Sequence, residues 1–224
     1  RVSWTHFFPR FAGLTGLYLV ASWLTIRFGE MHHFILWAAT FLVVYILWIR
    51  GRMRREREHN ELGVGLMSTG EHAAAGQLFE ALCRRPVSMT SHMMLIFNRA
   101  VAYQCEADYD QALALYRSVL DTEGRASRRV MAVHGDQLRA RAAEGFAWAG
   151  DLSAAEALLA QLGPDVKAPE ALVAPRALIA LRRGDAEAAL GIIEAGWADV
   201  EATLSGLELS PLKLLYAYTL QTLG

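Results

Sequence analysis

The sequence predicts an all-α protein with a two-helix transmembrane hairpin at the amino end, followed by an α-solenoid of about four helix pairs and a final helix. Three observations lead to this prediction. Two long apolar stretches lie close together near the amino end, and a run of arginines follows the second. In the remainder of the chain, one pattern of small and large residues recurs four times.

Charge divides the chain at the arginine run. Residues 1–60 hold eight Arg and three Glu, a net charge of +5, whereas residues 61–224 hold 14 Lys and Arg against 20 Asp and Glu, a net charge of −6. Apolar residues make up 54% of the chain, which is high for a purely soluble globule. The two regions are therefore predicted to occupy different surroundings.

The hairpin is predicted within residues 1–49, with helices at about 8–28 and 31–49. Phe11–Ile26 has no charged residue, and Met31–Ile49 has no Asp, Glu, Lys or Arg either. A membrane-spanning helix needs about 20 apolar residues, and aromatic residues lie near the ends of both stretches, as at membrane interfaces. A signal peptide is the alternative for the first stretch, but no small-residue cleavage site precedes the second.

Small residues indicate where the two hairpin helices pack. Ala12 and Gly16 lie one helical turn apart on the first helix, and Ala38 and Ala39 on the second are predicted to receive them. No ionisable residue lies in the middle of either stretch, so a proton or ion pathway is not predicted.

The arginine run forms the boundary, and residues 50–60 are predicted to be a basic juxtamembrane stalk. The arginines that follow the second stretch are Arg50, Arg52, Arg54, Arg55 and Arg57. By the positive-inside rule, they place both ends of the hairpin on the cytoplasmic side of a bacterial-type inner membrane, where they are predicted to contact anionic lipids. Nucleic-acid binding is disfavoured, because glutamates interrupt the run and no aromatic stacking platform accompanies it.

The stalk contains no proline, so the second hairpin helix is expected to continue unbroken into the solenoid. At a rise of ~1.5 Å per residue, the stretch from Arg50 to Leu62 is expected to lift the solenoid ~18 Å from the membrane.

Four segments of residues 61–224 align without internal gaps. In each, a small residue is followed by a turn pair, then an alanine, then a large apolar residue. The small residues are Gly63, Ala100, Ala143 and Ala177; the turn pairs are Gly70-Glu71, Ala107-Asp108, Gly150-Asp151 and Gly184-Asp185; the alanines are Ala75, Ala112, Ala155 and Ala189; the large residues are Phe79, Tyr116, Leu159 and Ile193. This order indicates two closely packed helices, the first ending in a left-handed cap and the second starting with an acidic residue.

The pattern resembles the tetratricopeptide repeat (TPR), W-x2-L-G-x2-Y…A-x3-F…P. The first copy is similar at Leu62-Gly63-x2-Leu66, at Ala75-x3-Phe79 and at Pro86. The resemblance covers the predicted array, 61–224, and implies repeats at about 57–89, 93–121, 136–164 and 170–199, with a last helix at 211–224. The segment from Asp121 departs from the family spacing, which indicates a longer loop or lengthened helices. Pro175 predicts a kinked or shortened first helix in the fourth repeat.

The resemblance implies a scaffold that holds a protein partner on the concave face formed by the first helices of the pairs. Transferred to this chain, that face comprises Asn60, Val64, Met94, Phe97, Asn98, Val101, Arg141, Glu144, Trp148 and Tyr218. Only Asn98 and Arg141 match the carboxylate clamp of some family members, so a mixed apolar and polar groove is predicted. No catalytic motif or metal-ligand spacing occurs in the sequence, so neither an enzyme nor a cofactor is predicted.

Two functions stay open. The first is a membrane-anchored scaffold that recruits or assembles a protein partner or complex through its concave groove. The alternative is a structural accessory subunit of a larger membrane complex, bound mainly through the hairpin. A weaker alternative is similarity to haem-biosynthesis-associated bacterial membrane proteins, which also place a two-helix anchor before tetratricopeptide repeats. The oligomeric state and the partner stay open as well.

Overall fold

The computed structural model describes residues 16, 18–20, 22–23, 26–27, 31–162, 166, 169–203 and 210–224. Every regular element in these ranges is helical, which confirms the all-α prediction. The helices are α1 Met31–Ser68, α2 His72–Cys83, α3 Met89–Cys105, α4 Tyr109–Leu120, α5 Arg125–Trp148, α6 Leu152–Ala160, α7 Val173–Arg182, α8 Ala186–Thr203 and α9 Ser210–Leu223. A 3-10 turn, Pro169–Leu172, precedes α7.

The helices stack as consecutive pairs. Helix α2 packs on α1, α4 on α3, α6 on α5 and α8 on α7, and the first helix of each pair also contacts the first helix of the next. Helix α9 follows as a first helix that packs on α7 and α8. Nearest-neighbour stacking of this kind is consistent with an α-solenoid, because a single pair leaves its apolar face exposed until a neighbour covers it.

The turn inside each pair has the same backbone geometry in all four copies. Its first residue has a positive φ: 84° at Gly70, 59° at Ala107, 89° at Gly150 and 84° at Gly184. At the second copy, Ala107 N–H donates to Gln104 O (3.0 Å), and Asp108 N–H donates to Tyr103 O (2.9 Å). These two hydrogen bonds form a Schellman cap, and the other copies repeat them. The left-handed cap predicted from the sequence is confirmed.

The acidic residue after the turn caps the second helix in three of the four pairs. Asp108 accepts from Gln111 N–H at 3.2 Å, Asp151 from Ala154 N–H at 3.1 Å and Asp185 from Ala188 N–H at 2.9 Å. Glu71 occupies the same position but makes no side-chain cap hydrogen bond. Aspartate is the better cap here, because its shorter side chain holds the carboxylate near the free N–H groups of the first turn.

Small residues bring the two helices of each pair together. The alanines Ala75, Ala100, Ala112, Ala143, Ala155, Ala177 and Ala189 are all 0% exposed. At Gly63 an added Cβ atom would lie 2.5 Å from Phe79 Cε1, so the ring occupies the space that any side chain there would need. The large residue of the repeat fills the space beside this contact. Phe79 and Ile193 are 0% exposed, whereas Leu159 is half-buried.

The irregular spacing after Asp121 is explained by a lengthened helix. Helix α5 has 24 residues, whereas α3 has 17. The extra length is at its amino end, because alignment of Ala143 with Ala100 leaves 125–131 ahead of the position where α3 begins. In the fourth pair α7 has only 10 residues, and Pro175 lies in its first turn. Proline is tolerated there, since the missing N–H would have no helical partner.

Helix α1 is one unbroken helix of 38 residues, so the expected continuity from the second apolar stretch into the solenoid is confirmed. Half-buried and buried residues recur along it at steps of three and four, at Ala38, Phe41, Tyr45, Ile49, Arg52, Glu56, Asn60, Gly63 and Met67. They form one stripe on the helix surface. The amino-terminal part of the stripe faces the helical residues before α1, where the Tyr18 and Phe41 ring centroids are 5.2 Å apart. The carboxyl-terminal part faces α2 and α3.

The stalk is not a free spacer. Arg52 Nη2 donates to Arg85 O at 2.9 Å, and Glu56 Oε2 accepts from Val87 N–H at 2.7 Å. The other carboxylate oxygen of Glu56 accepts from Ser91 Oγ. The connection between α2 and α3 therefore lies beside residues 52–56. The expected lift of ~18 Å is wrong, because the solenoid descends along α1 almost to the start of the arginine run.

Within the described ranges, no helix combines the length and the apolar content needed to cross a bilayer. Most of the first predicted hairpin helix, including Ala12, lies outside those ranges.

Candidate partner-binding face

Three polar residues of the predicted face occupy neighbouring positions on successive first helices. Asn60 lies three residues before Gly63, and Asn98 and Arg141 lie two residues before Ala100 and Ala143, the equivalent small residues. The structure brings the first two together, since Asn98 Nδ2 donates to Asn60 Oδ1 at 2.9 Å. This hydrogen bond joins α1 to α3 and leaves fewer amide groups free for a partner.

Phe97 and Glu144 were expected on the partner-binding face, but both are buried. Phe97 is 7% exposed and packs against Tyr116, with ring centroids 5.7 Å apart. Glu144 is 6% exposed and accepts from Arg141 Nη1 at 2.9 Å. The side chain of Phe97 contributes to the core, and Glu144 holds Arg141 in place. Neither presents a surface to a partner, because neighbouring helices cover both.

The remaining residues of the predicted face differ in exposure. Met94, Val101 and Trp148 are half-buried, whereas Val64 is 47% and Tyr218 is 60% exposed. Trp148 is covered on one side by Arg182, whose guanidinium lies 5.8 Å from the ring centroid and donates to Trp148 O at 2.9 Å. The accessible surface of the face is therefore mainly apolar at the α1 and α3 end.

The two cysteines have poorly reactive thiols. Burial raises the pKa of Cys83 to about 11, with only partial compensation from the nearby Arg99 guanidinium. Cys105 is exposed, but partial desolvation of its thiol also raises its pKa. A thiol with a raised pKa holds little thiolate at neutral pH, so nucleophilic or redox chemistry at these positions is disfavoured.

Four of the five arginines predicted to contact lipids are exposed, namely Arg50, Arg54, Arg55 and Arg57. Arg52 differs from them. Besides its bond to Arg85 O, its guanidinium lies 5.4 Å from the Trp48 ring centroid. Arg52 therefore joins α1 to the connection that follows α2, and its role is at least partly structural.

The structure describes residues from both helices of the predicted hairpin contact, namely Gly16 on the first and Ala38 and Ala39 on the second. A Cβ atom added at Gly16 would meet no atom within 4 Å. Ala38 is half-buried and Ala39 is exposed. The described residues therefore show no close contact at Gly16, whereas the contact of Ala12 with these alanines stays a prediction.

Two features of the site were not anticipated from the sequence. One is the attachment of Glu56 to Val87 and Ser91, which lie 31 and 35 residues away and follow no periodic pattern. The other is a group of exposed arginines at Arg84, Arg85, Arg125, Arg128 and Arg129. The sequence did contain a signal for these arginines. Arg125, Arg128 and Arg129 lie at the start of α5, where the helix dipole favours acidic residues.

Across the described ranges, no group of three or more His, Cys, Asp and Glu side chains is arranged to hold a metal ion. The chain matches no protein-family model, no curated protein and no solved structure.

Proposed function

We propose that this chain is a membrane-anchored TPR scaffold, with its array on the cytoplasmic side of a bacterial-type inner membrane. The proposal rests on the difference between the two halves of α1. Its amino-terminal half exposes large apolar side chains, and its carboxyl-terminal half is the first helix of the solenoid. One rigid element thus joins an apolar anchor to a helical array.

Exposed apolar side chains lie on several sides of the amino-terminal half of α1. They are Ile35, Leu42, Val43, Val44, Ile46, Leu47 and Trp48, each between 42% and 62% exposed. Consecutive residues of a helix point in different directions, so Leu42, Val43 and Val44 cannot share one groove of a partner. A lipid environment accommodates such a surface better than water does, because contiguous exposed apolar patches in soluble monomers are small.

The anchor is tested by membrane extraction and by topology. We expect the full chain to resist extraction with alkaline carbonate, because an apolar anchor is held by the bilayer interior and not by charge. In a background with Cys83→Ala and Cys105→Ala, a Gly29→Cys label site should react with an impermeant maleimide from the periplasmic side. A Thr122→Cys site should not react. Carbonate extraction of the full chain would refute the anchor.

The partner face is proposed at the α1 and α3 end of the concave surface, where Val64, Met94 and Val101 retain accessible apolar surface. We expect the double variant Val64→Glu and Val101→Glu to lose proteins that co-purify with the full chain from native membranes in mild detergent. Ala114→Glu is the matched control, since Ala114 is exposed on α4, a second helix. Recovery of the same proteins by both variants would refute this face, provided that both melt at the wild-type temperature.

A second function, an accessory subunit held mainly through the hairpin, is favoured by one observation. Polar groups of the concave face already bond to each other, through the Asn60–Asn98 and Arg141–Glu144 contacts. Replacement of Leu42 and Leu47 by alanine, which keeps the helix apolar but trims its surface, separates the two functions. Loss of the co-purifying complex in this variant, together with its retention in Val64→Glu and Val101→Glu, would favour the accessory subunit.

A further inference from the structure

The turns inside the pairs and the first two connections between pairs carry opposite charge. All four turns inside the pairs lie at one edge, which we call the turn edge. The connections between pairs lie at the other, and the two nearest α1, residues 84–89 and 121–129, define the connection edge. Charged residues on the turn edge are mostly acidic, with Glu71, Glu106, Asp108, Asp110, Asp151, Asp185 and Glu187 against Arg182 and Arg183. The connection edge has Arg84, Arg85, Arg125, Arg128 and Arg129 against Asp121 and Glu123.

The arginines of the connection edge are exposed to solvent. Arg84 has a side chain 74% exposed and forms an exposed ion pair with Glu80. Arg85 is exposed and offers its carbonyl to Arg52, so this connection lies beside the arginine run of α1. Arg125, Arg128 and Arg129 are exposed on the first turns of α5. Two separate parts of the chain thus extend the basic region of α1 along the solenoid.

The first connection of this edge lies beside the arginine run that follows the apolar half of α1. The hydrogen bonds of Arg52 and Glu56 hold the connection between α2 and α3 beside residues 52–56, which follow Ile49, the last residue of the apolar stretch. When Gly63 and Ala143 are aligned as equivalent repeat positions, Ile49 matches Arg129 on α5. Arg125 lies one helical turn nearer the amino end of α5, so in this alignment the first turn of α5 corresponds to residues 45–48 of α1, within its apolar half.

The arginines of α5 are poorly placed for helix stability. Helix α5 has no acidic residue in its first turn and no side-chain cap at Gly124. Positive side chains near a helix amino terminus are repelled by the partial positive charge of the helix dipole. Residues that are unfavourable for local structure, and that make no compensating contact inside the fold, are common at functional surfaces. The arginines at the start of α5 are residues of this kind.

We propose that the connection edge rests on the anionic lipid headgroups of the membrane that α1 enters, and that this contact fixes the tilt of the array. The inference rests on the proposed membrane anchor. Charge selects the occupant, because the edge nearest the bilayer is basic and the acidic turn edge faces away from it. Clusters of arginine and lysine beside a membrane anchor bind anionic lipids through their headgroup phosphates. The partner-binding face would then be held at a fixed angle to the bilayer.

The experiment places fluorescent probes at the two ends of α5 in the full chain. In the Cys83→Ala and Cys105→Ala background, Val133→Cys reports from the connection-edge half, and Ala149→Cys reports from the turn edge. Both positions are exposed. The protein is reconstituted into nanodiscs that carry a headgroup quencher and contain phosphatidylcholine, either alone or mixed with phosphatidylglycerol. We expect at least twofold stronger quenching at residue 133 in the anionic discs and no change at residue 149.

Salt and charge reversal identify the cause. A rise in salt from 0.1 M to 1 M shortens the Debye length from about 10 Å to about 3 Å, so the extra quenching should disappear. Arg128→Glu with Arg129→Glu should also abolish it, whereas the charge reversal Arg183→Glu at the exposed turn edge should leave it unchanged. The edge variant is not expected to unfold α5, because acidic residues suit the start of a helix. Its melting temperature checks this point.

Two results would overturn the inference. Equal quenching at residue 133 in both lipid mixtures would show that charge does not hold the edge, and unchanged quenching in the edge variant would exclude these arginines. Failure of the chain to enter nanodiscs would instead refute the membrane anchor. In that case flotation with phosphatidylglycerol vesicles still tests the connection edge. We expect the wild type to bind these vesicles in a salt-sensitive way, and the variant with Arg128→Glu and Arg129→Glu to lose this binding.

Discussion

The turns inside the helix pairs and the connections between them are built on different principles. All four turns use a residue with positive φ, a Schellman cap and an acidic residue. The connections do not repeat this combination: one is attached to α1 through Glu56, another, with Gly124 at a φ of 115°, leads into a lengthened helix, and a third contains a 3-10 turn. The four turns thus share one structure, whereas each connection has a different one.

This difference follows from what each segment must achieve. A turn sets the distance and angle between two helices that bury small residues against each other, so a change in its geometry disrupts a contact with no spare room. A connection only has to bring the next pair into stacking contact, which several lengths and shapes satisfy. The connections are therefore free to carry charge and to contact α1.

The largest expected effect comes from removal of a ring inside a pair. Phe79 is fully buried and lies against Gly63, so Phe79→Ala should cost about 3–5 kcal/mol in free energy of unfolding. The matched change Leu159→Ala, at the same repeat position but half-buried, should cost about 1–2 kcal/mol, because a half-buried leucine gains only part of the transfer free energy of a fully buried one. Urea unfolding followed by circular dichroism measures both. Equal losses would show that the first and third pairs are packed alike, contrary to the structure.

A smaller effect is expected at the helix caps. Asp151 accepts a hydrogen bond from Ala154 N–H, so Asp151→Ala should cost about 1 kcal/mol. Glu71 makes no side-chain cap bond, and Glu71→Ala should leave the melting temperature almost unchanged. Replacement of Glu71 by aspartate should raise stability, because a carboxylate would then reach the free N–H groups. A loss in Glu71→Ala as large as that in Asp151→Ala would mean that charge, not the hydrogen bond, stabilises these helix starts.

The positive φ of the turns predicts changes of opposite sign at two equivalent positions. Ala107 is the only residue other than glycine with positive φ in the described part of the chain, so Ala107→Gly should stabilise by about 0.5–1 kcal/mol. Gly150 has a φ of 89° and no atom within 4 Å of an added Cβ atom. Gly150→Ala should therefore destabilise through backbone strain alone, by about 1 kcal/mol. Thermal unfolding of the two variants should give shifts in opposite directions.

The same contrast explains what the sequence predicted and what it did not. The turn, the buried alanines and the Gly63–Phe79 contact follow from a short local pattern that recurs four times. The attachment of Glu56 to Val87 and Ser91 joins residues far apart in the chain, and no local signal marks it. Phe97 was placed on the partner-binding face by its position in the repeat. Its burial depends on Tyr116 and on the helices that cover both, which are specific to this chain.

The smallest expected effect is in the pH dependence of stability. It compares Glu56, which attaches a connection to α1, with Glu80, which forms an exposed ion pair. Burial raises the pKa of Glu56, and the Val87 N–H bond and Arg52 only partly oppose this shift. Glu80 differs, because its interactions with Arg84 and Arg99 lower its pKa. A carboxyl group with a raised folded pKa costs stability as pH rises through that pKa, and a group with a lowered pKa adds stability that is lost as pH falls through it.

The two glutamates should therefore respond to pH in opposite directions. Glu56→Gln keeps an oxygen acceptor for Val87 N–H and removes the titration, so the variant should gain stability relative to the wild type at neutral pH and lose that gain as pH falls toward about 4.5, the ordinary glutamate value. Glu80→Gln should lose stability at neutral pH, and the loss should diminish as the solution is acidified. Urea unfolding of both variants at several pH values measures the difference. Parallel pH dependences would mean that Glu56 is as well solvated as Glu80, and that the connection is attached to α1 only loosely.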